Sequence, residues 1–354
     1  MNDSNQKLAQ SPWWDSDLVA HKLSGLKNRN IISAALREWF IEHEFTEVET
    51  SYLQLSPGLE PHLTAFETKF IEPFEEDGKT LFLHTSPEYA MKKLLVGGMD
   101  KIFQFARCFR NCERSAIHHP EFTMLEWYQT SESFLEGALS AEKLIKIAAN
   151  TVGVDTIQRN EKNCDLTKEF CWLTVQHAFD LYAAIDLRAT LEDPLYPNAV
   201  LFERLAVEAG VRVAEDDDWT AIFDRIFLEK IEPNLGLEVP TILYNWPLPL
   251  AALAKPLKHD YCFCERFEIY VAGIELANGF GELTDAREQR RRFEAEQNIK
   301  RKMAIKPYPI DEEFLTALEI GLPESAGVAM GFDRLVMLLT GAEEIQDVIW
   351  CPMK

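Results

Sequence analysis

Two segments of alternating apolar and polar side chains, separated by a polar stretch, constrain the fold more than any other feature of this chain. Residues 103–109 and 122–128 alternate, and residues 111–119 between them are mostly polar. Alternation of this length predicts two antiparallel strands joined by a loop. Because most other predicted strands also adjoin a strand or a hairpin loop, we expect an α+β fold with an antiparallel β-sheet flanked by helices. Those other strands are 45–50, 240–246, 265–276 and 326–331.

Helical periodicity predicts the elements that flank this sheet. Ser86 is expected to cap a helix that starts with Pro87 and ends at Gly97-Gly98. Residues 1–27 are polar, and we expect a loosely held extension there, followed by a single domain over residues 28–354. The spacing of apolar residues predicts further helices at 31–40, 133–150, 200–210, 219–231 and 333–339.

Composition disfavours several classes of protein. Asp and Glu outnumber Lys and Arg by 58 to 36, and the net charge of −22 disfavours a protein whose main role is to grip nucleic-acid phosphates. No apolar run of about 18 residues predicts a transmembrane helix, and the start of the chain shows no signal peptide. The seven cysteines, an odd number, are expected to be reduced thiols, which indicates the cytoplasm.

The first segment with chemical meaning is the loop between the two alternating strands, at residues 109–113 and 118–122. Arg110 ends the first strand, and its planar guanidinium can grip a carboxylate and a phosphate oxygen at once. Glu126 and Tyr128 are two residues apart on the returning strand, so they share a face. Taken alone, the segment fits a solvated surface hairpin equally well.

The second segment carries two glutamates around a short turn. If Ala272-Gly273 is a two-residue turn, Glu268 lies opposite Ala277 and on the same face as Glu275. Two carboxylates on one face are suited to sharing Mg²⁺ ions.

The polar residues that follow, Asn278, Phe280 and Glu282, alternate with glycines but differ in parity from Glu275. A β-bulge must therefore intervene if all of them share one face. A solvent-facing hairpin with ordinary acidic residues is the alternative for this segment.

The third segment is residues 327–335, Gly-Val-Ala-Met-Gly-Phe-Asp-Arg-Leu. Small residues let the backbone approach a flat ligand such as adenine, and Arg334 is placed to meet phosphates. A simple strand–turn–helix joint is the alternative.

Together these segments resemble the three signature motifs of class II aminoacyl-tRNA synthetases, over residues of about 28 to 350. Residues 109–112 and 118–124 resemble F-R-N-E and H-N-P-E-F-T-M, the second motif of lysyl-tRNA synthetases. The first catalytic helix begins by about residue 28, which leaves no room for an anticodon-binding domain before it. The chain therefore resembles the truncated elongation factor P lysyltransferase family, as do its residues 273–280 and 283–289 and its alanine at position 329.

This resemblance implies the class II synthetase catalytic fold and an ATP-dependent ligase. Members of the family activate (R)-β-lysine as an adenylate, release pyrophosphate and transfer the acyl group to a lysine of elongation factor P. ATP and Mg²⁺ are the implied cofactors, and a homodimer without stable tRNA binding is the implied assembly. An enzyme that aminoacylates tRNA and an inactive regulatory paralogue remain as alternatives.

The resemblance also implies roles for individual residues. Arg110 and Arg334 are the implied catalytic residues, and Glu268 and Glu275 the implied Mg²⁺ ligands. The implied nucleotide-binding residues are Arg110, Asn111, Cys112, His118, His119, Phe122, Glu275, Leu276, Gly331 and Arg334. The implied amino-acid-binding residues are Ser86, Pro87, Glu88, Glu126, Tyr128, Asn278, Phe280, Glu282 and Ala329.

Three positions depart from the family pattern: Cys112 replaces a glutamate, His119 an asparagine, and Ser51 a proline of the dimer-forming first motif. A zinc site built from the cysteines and histidines is disfavoured, because their spacing does not match the usual zinc patterns. Residues 216–218, three consecutive aspartates, are expected to form a solvated loop.

Overall fold

An eight-stranded β-sheet lies at the centre of the computed structural model, which describes residues 12–60, 62–159, 162–251 and 253–353. The strands are β1 (Thr46–Glu47), β2 (Leu53–Gln54), β3 (Glu67–Phe70), β4 (Lys79–Leu83), β5 (Lys101–Phe109), β6 (Glu121–Thr130), β7 (Thr156–Arg159), β8 (Lys162–Asp165), β9 (Cys171–Thr174), β10 (Thr241–Pro247), β11 (Phe263–Val271), β12 (Ile274–Gly281) and β13 (Ser325–Gly331). The helices are α1 (Ser16–Glu42), α2 (Glu88–Val96), α3 (Phe134–Val152), α4 (Val175–Ala183), α5 (Ala199–Glu208), α6 (Trp219–Ile226), α7 (Ala286–Lys302), α8 (Glu312–Gly321) and α9 (Phe332–Thr340).

The strand order in the large sheet is β1-β5-β6-β13-β12-β11-β10-β9. All pairings from β5 to β10 are antiparallel, which confirms the predicted sheet. The two edges differ from the prediction, because β1 runs parallel to β5 and β9 runs parallel to β10. Each of these edge pairs is joined by a long connection rather than a hairpin, and a parallel pair requires such a connection.

Helices cover both faces of the sheet. On one face, α1, α3 and α9 pack over a core that includes Phe40, Phe103 and Trp127. On the other face, α4 to α6 form a second core against β10 and β11, and α2, α7 and α8 form a third. The space between these two groups of helices lies directly above the middle strands.

Helix α1 begins at Ser16, so the predicted boundary after residue 27 falls inside a helix. Asp15 caps it by accepting from the backbone N–H groups of the first turn, and Leu26 is buried. Lys22 forms an ion pair with Asp347 near the end of the chain. Polar residues on the outer side of these turns concealed the helix. The first part of the predicted extension, residues 1–11, lies outside the described residues.

Most other predicted elements are present with shifted ends. The strand predicted at 45–50 is reduced to β1, and the helix predicted at 219–231 is α-helical to Ile226 and then continues as a π-helix, Phe227–Ile231. Helix α2 begins at Glu88, so Pro87 occupies the N-cap position and the predicted start of the helix is one residue too early. Ser86 still accepts from the backbone N–H of Glu88 through its Oγ, but it is not the N-cap residue. The small sheet β2-β4-β3 was not predicted.

Candidate active site

The β11–β12 hairpin places acidic residues on the open face of the sheet. Ala272 and Gly273 form its turn with positive φ angles of 50° and 75°, as a two-residue hairpin of this kind requires. A register shift between Ile269 and Tyr270 then places Glu268 opposite Asn278. The predicted bulge is confirmed, whereas the predicted pairing of Glu268 with Ala277 is wrong, because the bulge moves every later pair by one residue.

A cavity of about 930 Å³ opens over β6, β12 and β13 on the sheet face away from α3. Most of the residues that the sequence pointed to line it: Ser86, Glu88, Arg110, His118, His119, Phe122, Glu126, Tyr128, Glu275, Leu276, Asn278, Phe280, Glu282, Ala329, Gly331 and Arg334. Four others, Pro87, Asn111, Cys112 and Glu268, do not line it. The fold thus brings segments that are distant in the sequence to one cavity.

Arg334 forms the centre of a basic end of this cavity. Its Nη1 donates to the carbonyl oxygen of Glu275 over 2.7 Å, and its Nη2 lies 2.7 Å from Nε2 of His118. Because a guanidinium only donates, Nε2 of His118 must accept, and Nδ1 then carries the proton and donates to Oγ of Ser115. Burial and the charge of Arg334 both lower the pKa of His118, which favours the neutral form that this hydrogen bond requires.

Arg110 lies on the same side of the cavity with hydrogen-bonding capacity to spare. Its Nε is buried without a partner among the described residues, and its Nη1 is 3.9 Å from Glu113. Its guanidinium lies 5.1 Å from the ring centroid of Phe122. An unpaired buried donor on an arginine indicates a place for an anionic ligand.

Two of the three departures from the family pattern, at Cys112 and His119, lie in the loop beside this end of the cavity. Both ring nitrogens of His119 are used: Nε2 accepts from the backbone N–H of Met353, and Nδ1 lies 2.6 Å from the carbonyl oxygen of Glu121. His119 therefore links Met353, near the C-terminus, to the loop between β5 and β6. Cys112 is exposed with φ of 65°, and its N–H donates to Oδ1 of Asn111.

Glu126 forms the acidic end of the cavity. Its side chain is fully buried, Oγ of Ser86 donates to its Oε1 over 2.7 Å, and the Tyr128 hydroxyl donates to its Oε2 over 3.1 Å. Burial, and after it the charge of nearby Glu88, raises the pKa of Glu126 to about 8. A bound ammonium group would supply the missing positive charge and keep this carboxylate ionised.

Glu282 and Glu88 complete the acidic end together with a residue that the sequence analysis missed. Lys92 on α2 is 1% exposed, its Nζ lies 2.5 Å from Oε2 of Glu282, and it also contacts Oε1 of Glu88. Burial raises the pKa of Glu282, and Lys92 opposes that shift. The spacing of Glu88 and Lys92, four residues apart on a predicted helix, was the signal that could have found it.

Strand β13 supplies the floor between these carboxylates. Ala329 pairs with Glu126 on one side and with Asn278 on the other. A side chain at Gly327 would place its Cβ 2.2 Å from Oε1 of Glu282 and 2.3 Å from the Tyr128 ring, so this position requires glycine. The methyl group of Ala329 therefore lies between Glu126 of β6 and Asn278 of β12.

Further carboxylates line the cavity, and two of those that were missed, Glu60 and Glu296, lie beside the acidic end. Burial and the charge of Glu88 raise the pKa of Glu60, and Oε2 of Glu60 is buried without a partner among the described residues. Burial and the charge of Glu60 raise the pKa of Glu296 on α7 to about 8. No sequence pattern links these positions, because a loop and a distant helix bring them together.

The implied magnesium ligands fit the ion to different degrees. Glu275 faces the cavity, whereas the oxygens of Glu268 accept from Nη2 of Arg266 and from the Tyr270 hydroxyl, each over 2.6 Å. Carboxylates are suitable ligands for Mg²⁺, so Glu275 fits as it stands, whereas Glu268 could bind the ion only through the lone pairs that Arg266 and Tyr270 leave free.

Two other features of the described residues bear on function. No group of three or more His, Cys, Asp or Glu side chains there could hold a metal ion by itself. Likewise, none of the described helices is both long and apolar enough to cross a membrane.

Comparison with known proteins identifies the family of the chain that forms this cavity. The family described as tRNA synthetases class II (D, K and N) matches residues 16–354. The chain belongs to the class II tRNA synthetases. It is 38% identical to an elongation factor P–(R)-β-lysine ligase of Proteus mirabilis, over 96% of this chain and 97% of the relative. It is 39% identical to the protein of the same name from Haemophilus ducreyi, over 92% of each chain.

In this class II synthetase, one buried network joins α1 to residues 118–124 and to residues 327–335. Arg29 of α1 forms an ion pair with Asp333 of α9, donates from Nη2 to Oγ1 of Thr123 over 2.9 Å, and donates from Nη1 to the carbonyl oxygen of Val348 over 3.2 Å. Oδ2 of Asp333 accepts from the backbone N–H of Thr123 over 2.8 Å. Thr123 follows Phe122 and Asp333 precedes Arg334, so the network fixes the backbone beside both Phe122 and Arg334.

Proposed function

We propose that this chain is an ATP-dependent ligase that activates (R)-β-lysine and transfers it to a lysine side chain of elongation factor P. The observation that carries the proposal is a single cavity with a basic end at Arg110 and Arg334 and an acidic end at Glu88, Glu126 and Glu282. The basic end suits a nucleotide's phosphates and the acidic end suits an amino acid with two ammonium groups. The names of the two relatives support the same substrate and acceptor.

In the first step, a carboxylate oxygen of the amino acid attacks the α-phosphorus of ATP, and the bond to the pyrophosphate oxygen breaks. Arg110 would hold the carboxylate beside the phosphate, Phe122 would stack on the adenine, and Arg334 would lie on the other side of the nucleotide. Catalysis then consists mainly of orienting the two reactants and stabilising negative charge. Glu275, together with Glu268, would hold Mg²⁺, which when bound neutralises charge on the leaving pyrophosphate.

In the second step, the neutral amine of the acceptor lysine attacks the acyl carbon and AMP leaves with the bonding electron pair. The amide that forms links the acyl group to the acceptor. The tRNA-aminoacylating alternative uses the same first step and differs only in the acceptor, a ribose hydroxyl.

Amino-acid-dependent ATP–pyrophosphate exchange tests the proposal, with (R)-β-lysine, α-lysine and a panel of other amino acids. Strong exchange with (R)-β-lysine, followed by a mass increase of elongation factor P, is the expected result. Exchange with α-lysine alone would favour the tRNA alternative, and no exchange with any amino acid would favour an inactive paralogue.

Replacing Ala329 with glycine is expected to shift the preference toward α-lysine. Removal of the methyl group between Glu126 and Asn278 enlarges the floor of the cavity. This is where the α-amino group of α-lysine, next to the substrate carboxylate, would lie. A change of one methyl group in such a pocket is worth roughly 1–3 kcal/mol, or about 10- to 200-fold in the ratio of kcat/KM values. Exchange kinetics with both substrates measure this ratio.

The matched control for that substitution is Ala326→Gly on the same strand. Ala326 is 4% exposed and faces the opposite side of the sheet, toward Gly137 of α3. It is expected to lower stability without changing the substrate ratio. An unchanged ratio in Ala329→Gly would remove Ala329 as the determinant.

We also propose that the chain forms a homodimer through α1 and the first motif around Ser51, and that it acts in the cytoplasm, where a translation factor would be met. Support for the dimer comes from exposed apolar residues on and after α1, among them Ile31, Ile41 and Tyr52. Sedimentation equilibrium is expected to give twice the chain mass, and a monomer at micromolar concentration would refute the dimer.

A further inference from the structure

Lys92 is a buried ammonium group that lies behind the wall of the active-site cavity. It contacts one oxygen of Glu88 and one of Glu282, while Oε1 of Glu282 is buried without a hydrogen-bond partner among the described residues. Lys92 itself does not line the cavity, whereas both of its partners do. It therefore acts on a ligand only through these two carboxylates.

Charge at the acidic end can be counted from these contacts. With a cationic ligand bound to keep them ionised, Glu88, Glu126 and Glu282 bring three negative charges, and Lys92 neutralises one of them. Glu60 and Glu296, which also line the cavity, face the positive charges of Lys300 and Arg292 and are counted apart from the acidic end. Two negative charges remain, which equals the number of ammonium groups on a diamino acid. A buried charge without a partner is costly, so a cavity of this kind favours ligands that match its charge.

We propose that Lys92 is a positioning residue that sets the charge of the acidic end to minus two and thereby selects amino acids with two ammonium groups. By occupying one oxygen of each partner, it also orients the other oxygen of Glu282 for the ligand. The inference rests on the proposed function and adds to it the substrate's charge class and the residue that determines it.

Lys92→Met replaces the side chain with an unbranched, uncharged one that is shorter by only one atom. We expect the KM for (R)-β-lysine in the exchange reaction to rise about tenfold or more, with the KM for ATP within twofold of the parent value. Lys93→Met is the matched control, since Lys93 is the next residue of α2 but forms an ion pair with Asp311 away from the cavity. A substitution that only disturbed the helix would change both KM values together, and that result would overturn the proposal.

The comparison of Glu282→Gln with the double variant Lys92→Met/Glu282→Gln is the sharper test. The single variant leaves Lys92 in place and reduces the net charge of the acidic end to minus one, whereas the double variant returns it to minus two. We expect the double variant to bind (R)-β-lysine about fivefold tighter than the single variant, as measured by calorimetry. Equal or weaker binding by the double variant would overturn the proposal.

If Lys92→Met alone does not fold, the double variant still tests the proposal, because it removes both charges of the buried pair together. Failure of this inference and of the proposed function can be told apart. A parent enzyme without exchange activity for any diamino acid refutes the proposed function and this inference with it. An active parent whose variants contradict the expected order refutes the role of Lys92 alone.

Discussion

Replacing Arg334 with alanine is expected to lower amino-acid-dependent ATP–pyrophosphate exchange by roughly 10²- to 10³-fold, as the loss of one pre-positioned donor at a reacting phosphate commonly does. The guanidinium is oriented by its hydrogen bonds with Glu275 and His118. Its side chain is 18% exposed, so water can replace these contacts and the fold should survive. Pyrophosphate exchange and a thermal melt of the same sample measure the two effects.

Two companion variants sharpen this test. Arg334→Lys keeps the positive charge but lacks the planar guanidinium that donates to Glu275 and His118 at the same time. We therefore expect it to be only slightly more active than Arg334→Ala. Arg114→Ala removes an exposed arginine that donates to the carbonyl oxygen of Met353 outside the cavity, and it should leave exchange unchanged. Near-normal exchange by Arg334→Ala would rule out the role assigned to it.

The parts of the fold that depend on residues close together in the sequence could be predicted. The hairpin of β5 and β6 follows from alternation within a single stretch, and the bulge in β12 follows from the parity of Glu275 against Asn278. The parallel edge pairs could not be predicted, because the partners of β1 and β9 lie far along the chain and no local pattern encodes them.

The same distinction applies to the site. Arg110, Glu126 and Arg334 stand in recognisable segments, so their presence in one cavity could be expected. Glu60 and Glu296 could not be found, because only the packing of α7 against the loop after β2 brings them together. Glu268 illustrates a third case: its position on the face was predictable, but its pairing with Arg266, two residues before it, was not recognised.

The cavity is assembled from segments that are distant in the sequence. The buried ion pair and hydrogen bonds of Arg29 hold these segments at fixed relative positions. Arg29 is 7% exposed and Asp333 is 1% exposed, and their ion pair joins α1 to residues 327–335. Thr123 connects residues 118–124 to this pair through its backbone and its hydroxyl. The separation between Phe122 and Arg334, which would lie on opposite sides of the nucleotide, thus depends on a residue that touches neither.

Replacing Arg29 with methionine is therefore expected to lower the free energy of unfolding by about 3–5 kcal/mol, because it leaves the Asp333 carboxylate buried without its counter-charge. The guanidinium also lies 4.8 Å from the ring centroid of Phe332, so part of this loss is packing. Urea denaturation measures the change in stability. At a temperature where the variant is still folded, exchange activity should also fall, because the backbone beside Arg334 is no longer fixed.

Arg37→Met, on the same helix, is the matched control for this prediction. Arg37 pairs with Glu47 at the surface and its side chain is 38% exposed, so its loss should cost about 1 kcal/mol or less. Adding Asp333→Leu to Arg29→Met removes the stranded charge and should recover part of the lost stability without recovering activity. A loss below about 1 kcal/mol in Arg29→Met would show that the three segments are held in register by backbone packing alone, and that the buried ion pair is dispensable.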